Sequence, residues 1–88
     1  MRKRVKRQMI EVEVRLYATL RKYNPETGIG EPMILQMPEG ARLADLLARL
    51  EVPKDEVKTA FVNNRRRDED YQLHDGDLVA FFPPVAGG

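Results

Sequence analysis

No cysteine occurs among the 88 residues. Disulfides, thiolate metal sites and a cysteine nucleophile are therefore excluded together, and a domain of this size must draw its stability from core packing alone. Histidine appears once, as His74 beside a turn, a position that reads as surface rather than as a ligand or general base. No apolar run approaches the ~20 residues of a membrane-spanning helix. The basic start is not followed by the apolar stretch of a secretion signal, so a cytoplasmic protein with no membrane partner is expected. The chain has no internal repeat, no low-complexity segment, no Ser-His-Asp set and no phosphate-binding glycine loop. Asp75 and Asp77 flank Gly76, but the rest of a calcium loop is missing. The triplet reads as a turn, and no metal or stably bound cofactor is expected.

The formal net charge of +1 conceals an uneven distribution. Arg2, Lys3, Arg4, Lys6 and Arg7 crowd the first seven positions, so the remainder carries ten basic against fourteen acidic residues, about −4. Residues 1–8 are expected to be a basic, solvated extension ahead of a domain at 9–86, with 87–88 as a flexible tail. Such an extension suits nucleic acid or anionic lipid, yet the body offers no matching basic face and little aromatic interleaving. Arg65-Arg66-Arg67 is followed at once by Asp68-Glu69-Asp70, which reads as a solvated hairpin tip rather than a binding patch.

Periodicity supplies the elements. Ile10, Val12, Val14 and Leu16 alternate with polar neighbours, the mark of a half-buried strand. Ala18 to Tyr23 suits a helical turn, and Asn24 to Pro32 is dense in turn residues. Met33 to Met37 forms a second strand with Met33, Leu35 and Met37 on one face. Leu43, Leu46, Leu47 and Leu50 make one helical stripe; no Ser, Thr or Asp caps its start, and Pro53 is expected to close it. Asp55 to Lys58 suits a short turn. Thr59 to Asn63 is a third strand, Asn63-Asn64 a tight hairpin turn, Arg65 to Tyr71 a polar return with at most a short strand, and Leu78 to Phe82 the last strand. A lone helix after a hairpin must bury its leucines on one sheet face, and a right-handed crossover returns the chain to the sheet. The expected architecture is α+β, a mixed sheet grasping one main helix, with the last strand central and parallel to the first.

The chain closes on Phe81-Phe82-Pro83-Pro84-Val85-Ala86-Gly87-Gly88. A terminal Gly-Gly offers a backbone carboxylate on a thin leash that admits close approach. The strand before it separates this ending from an ordinary frayed terminus.

From Asp75-Gly76-Asp77-Leu78-Val79-Ala80 through Phe81-Phe82-Pro83-Pro84 to Gly87-Gly88, the sequence resembles the ubiquitin-like sulfur carriers of the β-grasp fold, most closely the molybdopterin synthase small-subunit family. Leu16-Tyr17-Ala18-Thr19-Leu20-Arg21 resembles the first strand and following turn of that family less specifically, and the element order extends the likeness over Met9 to Gly88. The resemblance implies that a ubiquitin-activating-type adenylyltransferase uses ATP to adenylate Gly88. The adenylate becomes a thiocarboxylate, and the tail then enters the molybdopterin synthase large subunit, where its sulfur goes to a pterin precursor. Gly88 would be the sulfur-carrying group; Pro83, Pro84, Val85, Ala86 and Gly87 would thread into the partner. The prolines stiffen the exit by fixing φ. By the same analogy Val79 and Phe81 face the helix, while Ala80 and Phe82 face outward for docking. The partner would supply the acid–base groups, so this chain is not expected to be catalytic alone.

Two features depart from the family pattern: the basic extension and the length of the Asn24–Pro32 loop. The loop favours the molybdopterin type over the thiamin type, whose carriers join their first strands tightly. The alternatives are a carrier for thiamin synthesis or for protein or tRNA thiolation, a ubiquitin-like modifier of lysines, and an RNA-binding β-grasp module. An essential Gly88 separates carriers from the RNA module, for which steep salt dependence would speak.

Overall fold

The computed structural model describes residues 8–23 and 31–84. The basic run Arg2–Arg7, most of the Asn24–Pro32 loop and the segment Val85-Ala86-Gly87-Gly88 lie outside the described residues.

Alternation builds the first strand as expected. In β1 (Met9–Leu16), Ile10, Val12, Val14 and Leu16 are buried while the residues between them are not. After a 3₁₀ turn at Ala18–Tyr23, β2 (Met33–Pro38) runs back antiparallel to β1, pairing Val14 with Met33 and Met9 with Pro38. Helix α1 (Leu43–Leu50) follows, then a 3₁₀ turn at Lys54–Glu56, β3 (Thr59–Val62), β4 (Arg65–Arg66) and β5 (Leu78–Phe82). The strand order is β2-β1-β5-β3-β4. The central β5 runs parallel to β1 and antiparallel to β3. This is a ubiquitin-like β-grasp, a mixed five-stranded sheet holding one main helix.

The leucine stripe explains why the helix sits where it does. Leu43, Leu46 and Leu47 are buried and join Val12, Val14, Val62, Leu73, Val79 and Phe81 in one core, with Leu50 packed at its margin. Each such side chain contributes about 1.5–3 kcal/mol when fully buried. With no Ser, Thr or Asp at the N-cap, the helix start is satisfied by Asp45 in its own first turn and by two distant carbonyls. The Arg42 N–H donates to the Asp45 carboxylate at 2.8 Å, and the Leu43 and Ala44 N–H groups donate to the carbonyls of Tyr71 and Glu69 at 3.0 and 2.9 Å. The polar return after β4 therefore satisfies the donors that a helix start leaves open. The helix also stops before Pro53: Glu51 adopts a left-handed φ of 60°, and the Glu51 and Val52 N–H groups reach back to Ala48 and Leu47.

Two turns deliver β5. Asn63 and Asn64 take φ of 54° and 70°, so β3 ends at Val62, one residue earlier than the sequence pattern implies. Asparagine tolerates this left-handed pair better than most residues. Gly76 sits at φ 87°, and the Asp-Gly-Asp turn is stitched to β1. Asp75 Oδ1 accepts the Glu11 N–H at 2.8 Å, and the Glu11 carbonyl accepts the Gly76 N–H at 2.8 Å. Asp77 is buried and accepts from Asn63 Nδ2 at 2.9 Å and from the His74 N–H at 2.8 Å. Both aspartates thus hold backbone and amide donors. His74 lies exposed beside them.

Candidate functional site

β5 is anchored on both sides up to its last residue. The Phe81 carbonyl accepts the Tyr17 N–H at 3.2 Å, and the Phe82 carbonyl accepts the Lys58 N–H at 2.8 Å. The next two residues, Pro83 and Pro84, have no N–H to continue a ladder, so the chain must leave the sheet there. Pro83 is half-buried and Pro84 exposed. The tail therefore starts from the middle of the sheet, the position least able to drift. Val85, Ala86, Gly87 and Gly88, the rest of the expected threading segment, lie beyond the described residues.

A collar surrounds this exit. The 3₁₀ turn Ala18–Tyr23 follows β1 and the 3₁₀ turn Lys54–Glu56 precedes β3, so both lie at the end where β5 finishes. The Tyr23 hydroxyl donates to Glu56 Oε1 at 2.7 Å and joins the two turns. Lys22 Nζ stands 3.7 Å from the same oxygen. The hydrogen bond to the Glu56 carboxylate raises the Tyr23 pKa above the ordinary tyrosine value, with burial and the Glu56 and Asp55 charges adding to it.

The parity of β5 decides its two faces. Val79 and Phe81 are 2% and 0% exposed and enter the core, as the sequence leads one to expect. Leu78, Ala80 and Phe82 face the opposite way. On that outer face Ala80 pairs with Arg15 on β1 and Phe61 on β3. Phe82 lies outward, yet it does not stand alone. Its ring stacks on Tyr17, with centroids 4.6 Å apart and planes 3° from parallel, and meets Phe61 edge-on at 5.8 Å. Three aromatic rings thus form a half-buried platform beside the tail exit. Leu78 and Ile34, both about half exposed, extend the apolar surface toward β2.

Phe61 and Arg15 on this face were not singled out from the sequence. The signal was present in the Asn63-Asn64 turn, which joins β3 to β4 and sets Val62 opposite Arg65 and Phe61 opposite Arg66; with Val62 turned into the core, Phe61 falls on the other face. The triplet Arg65-Arg66-Arg67 is divided by the fold. Arg65 and Arg66 are exposed on β4, while the Arg67 guanidinium lies 4.7 Å from the Tyr71 ring centroid. A larger cleft of about 440 Å³ lies on the helix side, over Leu43, Leu47 and Ala60. The Lys54–Glu69 ion pair at 2.9 Å stands at its rim. It opens away from the platform. No helix among the described residues is long and apolar enough to cross a membrane.

The sequence model of the ThiS family matches residues 14–88. The chain belongs to the ThiS family of ubiquitin-like sulfur carriers. No curated protein sequence matches it. Among solved structures, this ThiS-family chain is similar to the HVO 2177 protein of Haloferax volcanii, at 28% identity and TM-score 0.74 over 99% of this chain and 94% of that one. It is also similar to a putative molybdopterin converting factor, subunit 1, from Pyrococcus furiosus, at 31% identity and TM-score 0.68 over 86% and 99%. A third similar structure is from the complex of molybdopterin-converting factor subunits 1 and 2 of Helicobacter pylori, at 25% identity and TM-score 0.56 over 90% and 100%.

Proposed function

We propose that this ThiS-family chain carries sulfur for molybdopterin synthesis on the carboxylate of Gly88. One observation carries the reading: the central, doubly anchored β5 is followed by two prolines that lead directly into Val85-Ala86-Gly87-Gly88, beside a half-buried aromatic platform. The likeness to a molybdopterin converting factor subunit 1 supports the choice of pathway.

The chemistry follows from the carboxylate. Its delocalised charge makes it a poor electrophile, so an adenylyltransferase of the ubiquitin-activating type first joins Gly88 to AMP from ATP, releasing pyrophosphate. A sulfur nucleophile then displaces AMP, which is a good leaving group. The resulting thiocarboxylate holds sulfur as a thiolate does, in a chain without cysteine. Delivery requires the large synthase subunit, which takes in Pro83 to Gly88 and supplies acid–base groups around the pterin precursor. Phe82, with Tyr17, Phe61 and Ala80, forms the docking surface, because an aromatic cluster beside the exit buries large area at small entropic cost.

The test is direct. Incubated with its activating enzyme, ATP and a sulfur donor, the chain gains the mass of one oxygen-to-sulfur exchange, mapped to Gly88. A chain lacking Gly88 stays folded and gains nothing. Normal cofactor synthesis by a protein whose C-terminus is permanently blocked would refute the reading. Transfer of Gly88 to lysines of other proteins, with no sulfur gained, would make the chain a modifier instead.

A further inference from the structure

Arg15 and Glu13 are the charged β1 residues that line the depression beside the aromatic platform. Arg15 projects between Glu13 and Tyr17 on β1, opposite Ala80, and the depression is shallow, of about 120 Å³, with other walls that include Phe61 and Leu78. Its Nε is sealed from solvent and has no hydrogen-bond partner. Its only ion pair among the described residues is a loose one, with Glu13 Oε2 3.5 Å from Nη2. The side chain as a whole remains 40% exposed. A buried N–H without an acceptor is unfavourable, the part-exposed Glu13 pair adds little stability to offset it, and an apolar side chain of the same length would cover the same surface. A guanidinium presents parallel N–H groups that match the two oxygens of a carboxylate. Glu13 and Asn64 also line the depression, but neither accepts from the Arg15 Nε–H; what this donor lacks is an acceptor, and the acceptor that matches a guanidinium best is a carboxylate.

We infer that Arg15 is a specificity residue of the docking face, and that its occupant is an Asp or Glu side chain of the protein that receives the tail. The inference rests on the sulfur-carrier reading above. As the partner closes over the platform and excludes water, its carboxylate draws the guanidinium away from Glu13, and a rotation about the side-chain bonds brings the Nε–H into the shared fork. Tyr17, Phe61 and Phe82 provide apolar area that any flat partner can cover, whereas Arg15 disfavours partners with no acceptor at that point, because they would bury its Nε–H donor still unmet.

The experiment uses the full chain and, as probe, the large synthase subunit of the same organism. Folding and binding should move in opposite directions. Arg15→Met removes the unpartnered donor, so the melting temperature stays level or rises, while affinity falls about tenfold or more. Arg15→Lys keeps the charge but lacks the fork, and recovers only part of that loss. An Arg15→Met chain that binds as tightly as wild type overturns the inference alone, as does one that melts several degrees lower, since Arg15 would then be supporting the fold. Full recovery by Arg15→Lys overturns the carboxylate fork. Failure of the wild-type chain to bind the probe overturns both the inference and the choice of partner.

Discussion

β5 presents two faces that differ by one residue in sequence and by everything in environment. On the helix side Val79 and Phe81 are sealed among Val14, Leu43, Leu46 and Val62. On the other side Leu78 stays half exposed, and the half-buried Phe82 ring packs against Tyr17 and Phe61. Neighbouring phenylalanines thus do different work: Phe81 closes the core, and Phe82 belongs to a platform that the protein leaves open. The comparison teaches that hydrophobicity on this strand serves two purposes, and that side-chain parity, fixed by pairing with β1 and β3, assigns them. A core residue acts on stability whatever the partner, while a platform residue acts chiefly when something docks.

Five substitutions would break or sharpen this contrast. The largest effect is expected for Phe81→Ala, which opens a cavity in a packed core and should lower unfolding free energy by roughly 3–5 kcal/mol in a denaturant titration. Phe82→Ala comes next, and it divides its effect. Loss of two aromatic contacts should lower stability by about 1–2 kcal/mol, and affinity for the large subunit should fall by on the order of 2 kcal/mol. Equal stability losses for the two variants, or unchanged binding by Phe82→Ala, would erase the distinction between the faces. Asp77→Ala tests the turn that sets the register of both faces. It leaves the Asn63 amide and the His74 N–H without their acceptor and should lower stability by about 1–3 kcal/mol; an unchanged midpoint would show that the turn holds without it. Leu78→Ser and Ile34→Ser are the smallest, each expected within about 0.5 kcal/mol of wild type in stability. A larger loss in either would mean that the outer face also holds the fold together.

Much of this architecture was legible because it is periodic. The alternation from Ile10 to Leu16 and the leucine stripe of α1 declare their faces without help from distant residues, and Asn63-Asn64 and Asp75-Gly76-Asp77 declare turns by backbone chemistry. The carrier family was legible only through the resemblance of the whole closing stretch from Asp75 to Gly88. What the pattern left open depended on groups far apart in the chain. At the start of α1 only Asp45 caps locally, and Glu69 and Tyr71 supply the other acceptors only after the chain has returned across the sheet. Strand parity separated Phe81 from Phe82 and the family resemblance turned Phe82 outward, but its company was not legible. Tyr17 and Phe61 meet it only once β1 and β3 flank β5, since ring stacking depends on register and separation, neither of which a single strand specifies. Arg15 looked like one more polar residue on an alternating strand. Only the packed sheet gave it aromatic neighbours and took water from its Nε, because local sequence sets which way a side chain points while tertiary structure sets what it meets there.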